Sequence, residues 1–291
     1  MIDQSDGVGA QAVQIVGDSE FLANGLAHQL RVLSEVTSVN LAVRVLCYDN
    51  PRTGEVKTVS ESLTVQEVGD GCSPNQGFGH NHNFLFGTWP SSPSVILLNP
   101  DCLPVHGSIE SLVRKFEEDS TIGIVEARQW PFEHPKHRDP VTGDTSWASG
   151  FFCLLSGPMM NAIGGFDPSY NMYLEDVDLS WTAWQSGFRV VYEPLAVGRH
   201  FTQSLFPRRD LLNVEQEMSL RNFLSIAYKF FGRQGFMRAY AMAEKQVSSE
   251  VLADATEGAK NDVIPYMRVA NRRRHPMVGF SDVLIFEGLR K

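Results

Sequence analysis

Short apolar runs alternate with amphipathic stretches in the first part of the chain, and the pattern predicts strands and helices in turn. Residues Ala12–Gly17 predict a first strand. Ser19 is a suitable N-cap for the helix expected next, in which Phe21 to Leu33 carry apolar side chains at helical spacing. A second strand, Leu41–Tyr48, completes a strand–helix–strand unit. This order predicts a parallel α/β sheet, which binds ligands at the carboxyl ends of its strands.

The apolar pattern continues through the middle of the chain and changes after residue 200. The later runs predict a helix at Ile109–Phe116 and strands at Leu63–Val68, Ser94–Leu98, Ile122–Ala127, Trp147–Leu155 and Phe188–Tyr192. Beyond them the spacing is helical in Leu211–Phe231, which Gly232 ends, and again in Phe236–Asp254. We therefore expect an α/β domain over residues 1–205 and a helical extension over residues 206–291.

The stretch Gly164–His200 combines a Gly-Gly turn, an acidic cluster and a strand. Glu175, Asp176 and Asp178 fall within about one turn of a predicted helix, for which Gly187 is a suitable C-terminal stop and after which Pro194 is expected to end the strand. Carboxylates at a helix start are commonly explained by the helix dipole alone. These three follow an apolar run, so a second interpretation is open: burial and mutual repulsion would raise a pKa, as a general base requires.

Polar residues also follow two predicted strands. Asp49 and Asn50 end the second strand, and Asn99-Pro100-Asp101 ends the strand Ser94–Leu98. Both groups are suited to a simple turn. A carboxylate at the tip of a central strand is equally suited to a hard cation such as Mg²⁺ or Mn²⁺, which prefers oxygen ligands.

Composition and charge narrow the class of protein. With 43% hydrophobic and 20% charged residues the 291-residue chain has the profile of a soluble globular protein. A formal net charge of −9 argues against a nucleic-acid partner. The scattered cysteines and the absence of a basic or apolar leader in MIDQSDGVGAQ favour a cytoplasmic location.

The stretch Gly164–His200 closely resembles the signature of family 2 glycosyltransferases, the inverting enzymes of GT-A fold, and particularly of their rhamnosyltransferase-like branch. The family pattern is approximately GGFDxxFFMYxEDxDLxxRxxxxGxxxxxxPxAxxxH, and this chain has GGFDPSYNMYLEDVDLSWTAWQSGFRVVYEPLAVGRH. The resemblance extends over residues 12–230 and implies a Rossmann-like, mostly parallel central sheet flanked by helices. It implies transfer of a sugar from a nucleotide-diphosphate donor, dTDP-rhamnose or a UDP-sugar, to a hydroxyl of a glycan or lipid-linked saccharide.

The resemblance also implies roles for individual residues. Asp176 would be the catalytic base, and Glu175 would orient the loop or the acceptor. Asp101 and His200 would bind Mg²⁺ or Mn²⁺. The positions expected to contact or support the donor nucleotide are Asp49, Asn50, Asn75, Gly77, Asn83 and Asn99.

Some loops depart from the family pattern. Gly17-Asp18 replaces Thr-Tyr-Asn after the first strand, and Pro51-Arg52-Thr53-Gly54 replaces Ser/Thr-Asp-Gly after the second. The choice of nucleotide therefore stays open, and so does a catalytically silent sugar-nucleotide-binding domain of the same fold. A dinucleotide-dependent oxidoreductase is a third alternative, but the first strand is not followed by the GxGxxG motif that such enzymes need.

Three further segments leave alternatives open. The glycines in residues 75–83 predict a loop, in which His80 and His82 have no evident third metal ligand. Trp130–Thr145 predicts a long mobile loop whose Lys136 and Arg138 are expected to be solvated or to meet phosphate or acceptor. The basic run Arg272–Arg274 is either a solvated face or a peripheral membrane contact. The oligomeric state is not indicated.

Overall fold

The computed structural model describes residues 9–50, 54–69, 75–89, 91–201, 209–272, 274–280 and 283, with only the backbone for residues 209–214. The strands are β1 (Gln11–Gly17), β2 (Leu41–Cys47), β3 (Lys57–Ser60), β4 (Leu63–Val68), β5 (Ser94–Leu98), β6 (Cys102–Pro104), β7 (Ile122–Trp130), β8 (Phe152–Ser156) and β9 (Arg189–His200). The helices are α1 (Ser19–Asn24), α2 (Leu26–Val36), α3 (Phe78–Gly87), α4 (Ser108–Glu117), α5 (Gly157–Ile163), α6 (Glu175–Gln185), α7 (Arg209–Ala243) and α8 (Ser249–Gly258).

These strands form one mixed sheet in the order β3-β4-β2-β1-β5-β8-β7-β9-β6. Strands β4, β2, β1 and β5 are mutually parallel, and β7 is parallel to β9. Strands β3, β8 and β6 run antiparallel to their neighbours. The expected α/β sheet flanked by helices is confirmed, with antiparallel strands inserted in and beside its parallel part.

The helices after residue 208 share a hydrophobic core with α6. Trp181 of α6 is fully buried, and its ring packs edge-on against Phe230 of α7 at a centroid distance of 5.2 Å. Leu220 and Phe223 of α7 are buried in the same cluster. The boundary expected at residue 205 lies in 202–208, outside the described residues, so the division into two domains stays a prediction.

Two helix predictions need correction. Asp18, and not Ser19, caps the first helix, because its carboxylate accepts the N–H of Phe21 at 2.6 Å. The helix then breaks at Gly25, against which the ring of Phe21 packs. The helix predicted over Phe236–Asp254 is instead the end of α7 and a separate α8, which begins after the N-cap Ser248. A left-handed Gly232 interrupts α7.

The prediction that Pro194 ends the last strand is wrong, because β9 continues to His200. Ala127 of β7 pairs with Glu193, whereas the next residue, Arg128, pairs with Val197. The intervening residues 194–196 therefore bulge out of the ladder, where the missing N–H of proline costs no interstrand hydrogen bond. This bulge carries β9 onward to His200.

The longest helix in the described ranges is α7, with 35 residues. No helix in the described ranges combines the length and the apolar character needed to cross a bilayer.

Candidate active site

A carboxylate and an imidazole meet at one edge of the sheet. Asp101 lies in the turn between β5 and β6, and His200 is the last residue of β9. Antiparallel pairing of β6 with β9 sets Cys102 opposite His200, which brings these distant parts of the chain together. His200 Nε2 lies 3.1 Å from Asp101 Oδ2, and both side chains are partly exposed.

This pair fits two ligands of a divalent cation. In an octahedral site with bonds of about 2.1 Å, adjacent ligand atoms lie about 3.0 Å apart, which agrees with the 3.1 Å between the two side chains. No three His, Cys, Asp or Glu side chains come together as a metal site within the described ranges. The side chains Asp101 and His200 would therefore share such a cation with ligand oxygens and water.

Gln129 supports the pair from β7. Its amide nitrogen contacts His200 Nδ1, while its Oε1 is buried and has no hydrogen-bond partner among the described residues. Rotating the amide by half a turn would let Oε1 accept the Nδ1–H of His200. That arrangement leaves Nε2 with a lone pair for a metal, which is the usual tautomer of a metal-binding histidine.

The acidic helix start follows a strained turn. Tyr173 and Leu174 adopt left-handed φ angles of 72° and 64°, which are uncommon for residues other than glycine. The buried amide of Asn222, on α7, donates hydrogen bonds of 2.8 Å to the carbonyls of Met172 and Tyr173. The turn is therefore held by the C-terminal helix, and α6 begins directly after it.

Asp176 is held by the segment that precedes β8. Its Oδ2 accepts the N–H of Gly150 at 3.1 Å, and its Oδ1 accepts the N–H of Val177 at 2.8 Å. A Cβ at position 150 would lie 3.0 Å from the Phe78 ring, so only glycine allows this approach without displacing a neighbour. Burial raises the pKa of Asp176, although the Gly150 N–H and the nearby cations oppose the rise.

Glu175 differs from its neighbour in being almost fully buried. Its Oε2 has no hydrogen-bond partner among the described residues. Burial, and then the charge of Asp176, raise the pKa of Glu175 well above its usual value. A carboxyl group in this environment favours the protonated form, whereas the two backbone N–H groups favour the ionised form of Asp176.

Asp178, the third carboxylate of the cluster, is buried and paired with residues that hold the fold together. Lys229 of α7 lies 2.7 Å from an oxygen of Asp178 and 2.7 Å from an oxygen of Asp167. The hydroxyl of Tyr170 also donates to Asp178. Asp178 therefore connects α6 to α7.

The segment 149–151 connects Asp176 with the Asp101–His200 pair. Gly150 donates to Asp176, and the ring of Phe151 packs on the ring of His200 at a centroid distance of 4.2 Å. The carbonyl of Phe151 accepts the backbone N–H of Asn99, next to the turn that carries Asp101. The proposed base, metal pair and Asn99 are thus arranged around one short piece of backbone.

Comparison with solved structures identifies the fold. The mannosyltransferase PcManGT of Pyrobaculum calidifontis, in complex with GDP-Man and Mn²⁺, superposes with a TM-score of 0.52 at 14% identity, over 87% of this chain and 80% of that one. GalNAc-T7 with UDP, GalNAc and Mn²⁺ gives a TM-score of 0.60 at 11% identity, over 90% and 56%. S. aureus TarS 1-349 gives 0.55 at 11% identity, over 89% and 81%.

The fold is that of the GT-A glycosyltransferases. No protein-family model matches the sequence. A stretch of 72 residues is 35% identical to N-acetylglucosaminyl-diphospho-decaprenol L-rhamnosyltransferase of Mycobacterium tuberculosis, in strains CDC 1551 and H37Rv alike. The match covers 24% of this chain and 24% of that relative.

Within this GT-A fold, Asp49 and Asn50 are exposed after β2, as predicted for a strand end. The carboxylate of Asp49 accepts hydrogen bonds from the N–H and the hydroxyl of Ser19 at 2.8 and 3.0 Å. Hydrogen bonds from Cys47 and Ser19 more than offset burial and hold the pKa of Asp49 below its usual value. Asp49 therefore ties the β1 and β2 ends together, and its contact with a nucleotide stays a prediction.

The segment predicted as a loop at residues 75–83 is largely helical, because α3 begins at Phe78. The side chain of Asn75 accepts the N–H of Gly77 and an amide hydrogen of Asn81, each at 2.9 Å. Gly77 has φ 99°, and a Cβ there would lie 2.3 Å from the carbonyl oxygen of Asn171. Asn75 and Gly77 thus fix the start of α3 against the loop before α6.

Asn83 and His82 also have structural partners. The amide of Asn83 donates to the carbonyl of Phe166 and accepts its N–H, at 2.8 and 2.9 Å. Buried His82 lies 2.9 Å from Gln14 Oε1, and burial lowers its pKa to about 3. These contacts explain why α3 carries polar residues, and a nucleotide contact by Asn83 stays a prediction.

The sequence left open whether Lys136 is solvated or meets phosphate or acceptor. The expectation that it is solvated is wrong, because its side chain is 0% exposed and pairs with Glu126 at 2.7 Å. The sequence offered one signal: Glu126 lies inside a predicted buried strand, and a buried carboxylate needs a cationic or hydrogen-bonding partner. Neither Gln129 nor Asn222 has a motif of its own, since each acts through backbone or side chains distant in sequence.

Proposed function

We propose that the chain is an inverting, metal-assisted glycosyltransferase that moves a sugar from a nucleotide-diphosphate donor to an acceptor hydroxyl. The observation that carries the proposal is the arrangement of Asp176 and the Asp101–His200 pair around the segment 149–151. A base and a cation-binding pair in one place are the two components that a single displacement at an anomeric carbon requires.

Asp176 is the base of this reaction. Each of its oxygens accepts one backbone hydrogen bond, which leaves further lone pairs to take a proton. The acceptor oxygen attacks the anomeric carbon as its proton passes to Asp176, and the bond from that carbon to the diphosphate oxygen breaks. Glu175 is protonated in its buried position, so Asp176 carries the negative charge of the two. Glu175 also orients the loop.

Asp101 and His200 would hold Mg²⁺ or Mn²⁺, and Asn99 supports the turn that presents Asp101. When bound, the cation would neutralise the negative charge that builds up on the leaving nucleotide diphosphate. Mn²⁺ accompanies the nucleotide ligands of PcManGT and GalNAc-T7, and the 3.1 Å spacing of the two side chains is consistent with the same use here.

The expected donors are dTDP-rhamnose and UDP-sugars, and the expected acceptor is a glycan or lipid-linked saccharide. The stretch shared with the mycobacterial rhamnosyltransferase supports this class of donor and acceptor. GDP-mannose belongs in the same comparison, because PcManGT was solved with it. We further propose that residues 1–205 carry the catalytic site and residues 206–291 stabilise it.

A donor screen tests the function. Purified protein is incubated with UDP-, dTDP- and GDP-sugars, with Mg²⁺, Mn²⁺ or a chelator, and release of the nucleotide diphosphate is measured. Metal-dependent release from one donor, with an inverted anomeric configuration in the product by NMR, supports the proposal. Nucleotide binding by calorimetry without release from any donor would instead support a catalytically silent binding domain.

A further inference from the structure

The loop between β7 and β8 places one lysine inside the protein. Lys136 Nζ lies 2.7 Å from Glu126 Oε1, and it donates to the carbonyl of Trp147 at 2.5 Å. It also lies 3.7 Å from the centroid of the Trp147 ring. The side chains of Lys136 and Glu126 are 0% and 4% exposed, so the pair is shielded from water.

The Glu126 carboxylate connects this lysine to the backbone beside Asp176. The oxygen that pairs with Lys136 also accepts the N–H of Ser149 at 3.0 Å. The next residue, Gly150, donates its N–H to Asp176. Lys136 thus fixes residues 147 and 149 of the segment on which Asp176 rests, once through the Trp147 carbonyl and once through Glu126.

We infer that Lys136 is a positioning residue for the transfer reaction, acting through Glu126 and the segment 147–150 on the base Asp176. The inference rests on the proposed function, since it concerns the same site. A buried ion pair is weak support for stability, because desolvation of the two charges offsets their attraction. Its contacts with the backbone beneath Asp176 provide a functional reason for its presence.

The charged groups around Asp176 also connect Lys136 to the base. The groups that face Asp176 are Glu175 on its own helix, His134 and Lys136 from the loop, and Cys153 from β8. Burial raises the pKa of Asp176, whereas the hydrogen bond from Gly150 and the charge of Lys136 lower it. Lys136 itself has a pKa lowered by burial, an effect that the partner carboxylate Glu126 opposes.

Removing the lysine charge should therefore raise the pKa of Asp176. We expect Lys136→Met to shift this pKa upward, because the variant removes a charge that favours the ionised carboxylate. The direct readout is the pH titration of the Asp176 carboxyl carbon by ¹³C NMR, with D176N to assign the signal. In the kcat/KM profile the acid limb, where activity rises with pH, should move upward by the same amount.

Arg128→Gln is the matched control. Arg128 lies on β7 near the same loop, but its side chain is 48% exposed and pairs with Glu133 at the surface. This variant removes the same charge and should leave the titration of Asp176 unchanged. The double variant E126L/K136M removes both buried charges, so that no unpaired buried charge destabilises the fold. In this variant the titration of Asp176 should still be displaced.

The inference is overturned if the Asp176 carboxyl titrates identically in wild type, K136M and E126L/K136M. A purely structural lysine would give that result together with a lower melting temperature. The NMR readout needs no turnover, so it is independent of the donor screen. A chain that releases no nucleotide from any donor refutes the proposed function, whereas an unmoved titration refutes the role of Lys136.

Discussion

Two adjacent carboxylates in this site have different environments. Glu175 is buried and its Oε2 has no hydrogen-bond partner within the described part of the chain, whereas each oxygen of Asp176 accepts a backbone hydrogen bond. Sequence alone placed both at a helix start and identified Asp176 as the base by resemblance. It could not indicate which of the two keeps its proton, because that depends on Gly150 and on neighbours from other elements.

The ionisation of Asp176 predicts how activity depends on pH. Its folded pKa is raised by burial above the ordinary value of 3.8. A base acts only when deprotonated, so kcat/KM should rise with pH through this raised pKa and level off above it. Rate profiles between pH 4 and 8 measure the limb. An acid limb at or below the ordinary aspartate value would contradict the assignment.

A second prediction for a single residue concerns Gln129. Gln129→Leu removes the amide that orients His200, and residues in this position typically affect metal affinity by about 10–100-fold. We expect Mn²⁺ affinity in the presence of nucleotide, measured by electron paramagnetic resonance, to fall by that amount. Arg128→Gln, the exposed neighbour on β7, should leave it unchanged. Equal affinities in the two variants would remove Gln129 and His200 from the metal site.

At the scale of elements, the strained turn before α6 depends on a helix far along the chain. Asn222 of α7 is fully buried and bonds the carbonyls of Met172 and Tyr173. Sequence predicted both helices, because their apolar spacing is regular. It predicted neither the hydrogen bonds by which Asn222 holds the turn, called the clamp below, nor the bulge at Pro194. Both depend on contacts with residues distant in the chain.

Replacing Asn222 should weaken both folding and catalysis. Asn222→Leu leaves two buried carbonyls without donors, at a cost of about 1–3 kcal/mol in the free energy of unfolding. Because the left-handed turn then relaxes, we expect kcat to fall at least about tenfold, since small displacements in an active site are costly. Ser225→Ala on the same helix is the control, as it removes only a hydrogen bond to Arg221 within α7. Equal kcat in both variants would contradict the clamp.

At the scale of the whole molecule, the sheet domain and the C-terminal helices are joined by buried charge as well as by apolar packing. Lys229 of α7 is 4% exposed and lies between Asp167 and Asp178. The apolar spacing of Leu211–Phe231 predicted the helix that carries Lys229 but not the partners of its charge. Only the three-dimensional arrangement shows that its charge lies beneath the Gly164–His200 stretch.

Lys229→Met should therefore be strongly destabilising. It leaves two buried carboxylates without their cation, and breaking a buried pair in this way costs about 3–5 kcal/mol. Urea unfolding followed by circular dichroism measures the change. Lys115→Met is the matched control, because its i,i+3 pair with the exposed Glu118 should contribute at most about 1 kcal/mol. A similar small loss in both variants would contradict the buried network.

The parallel start of the sheet and its flanking helices followed from sequence, because apolar periodicity records which residues are buried. The order of the antiparallel strands did not, since β8 and β6 pair with partners remote in the chain. The same holds for the candidate site: residues within a motif could be named as candidates from the sequence, whereas the buried contacts of Lys136 and Asn222 could not be predicted, because they depend on tertiary structure.

The most direct test of the central claim compares nucleotide release by wild type and Asp176→Asn, with donor affinity measured on the same samples. We expect metal-dependent release by wild type and a release rate about 10²–10⁴-fold lower in the variant, the usual contribution of a general base, at unchanged donor affinity. Equal release rates in the two proteins would contradict the central claim.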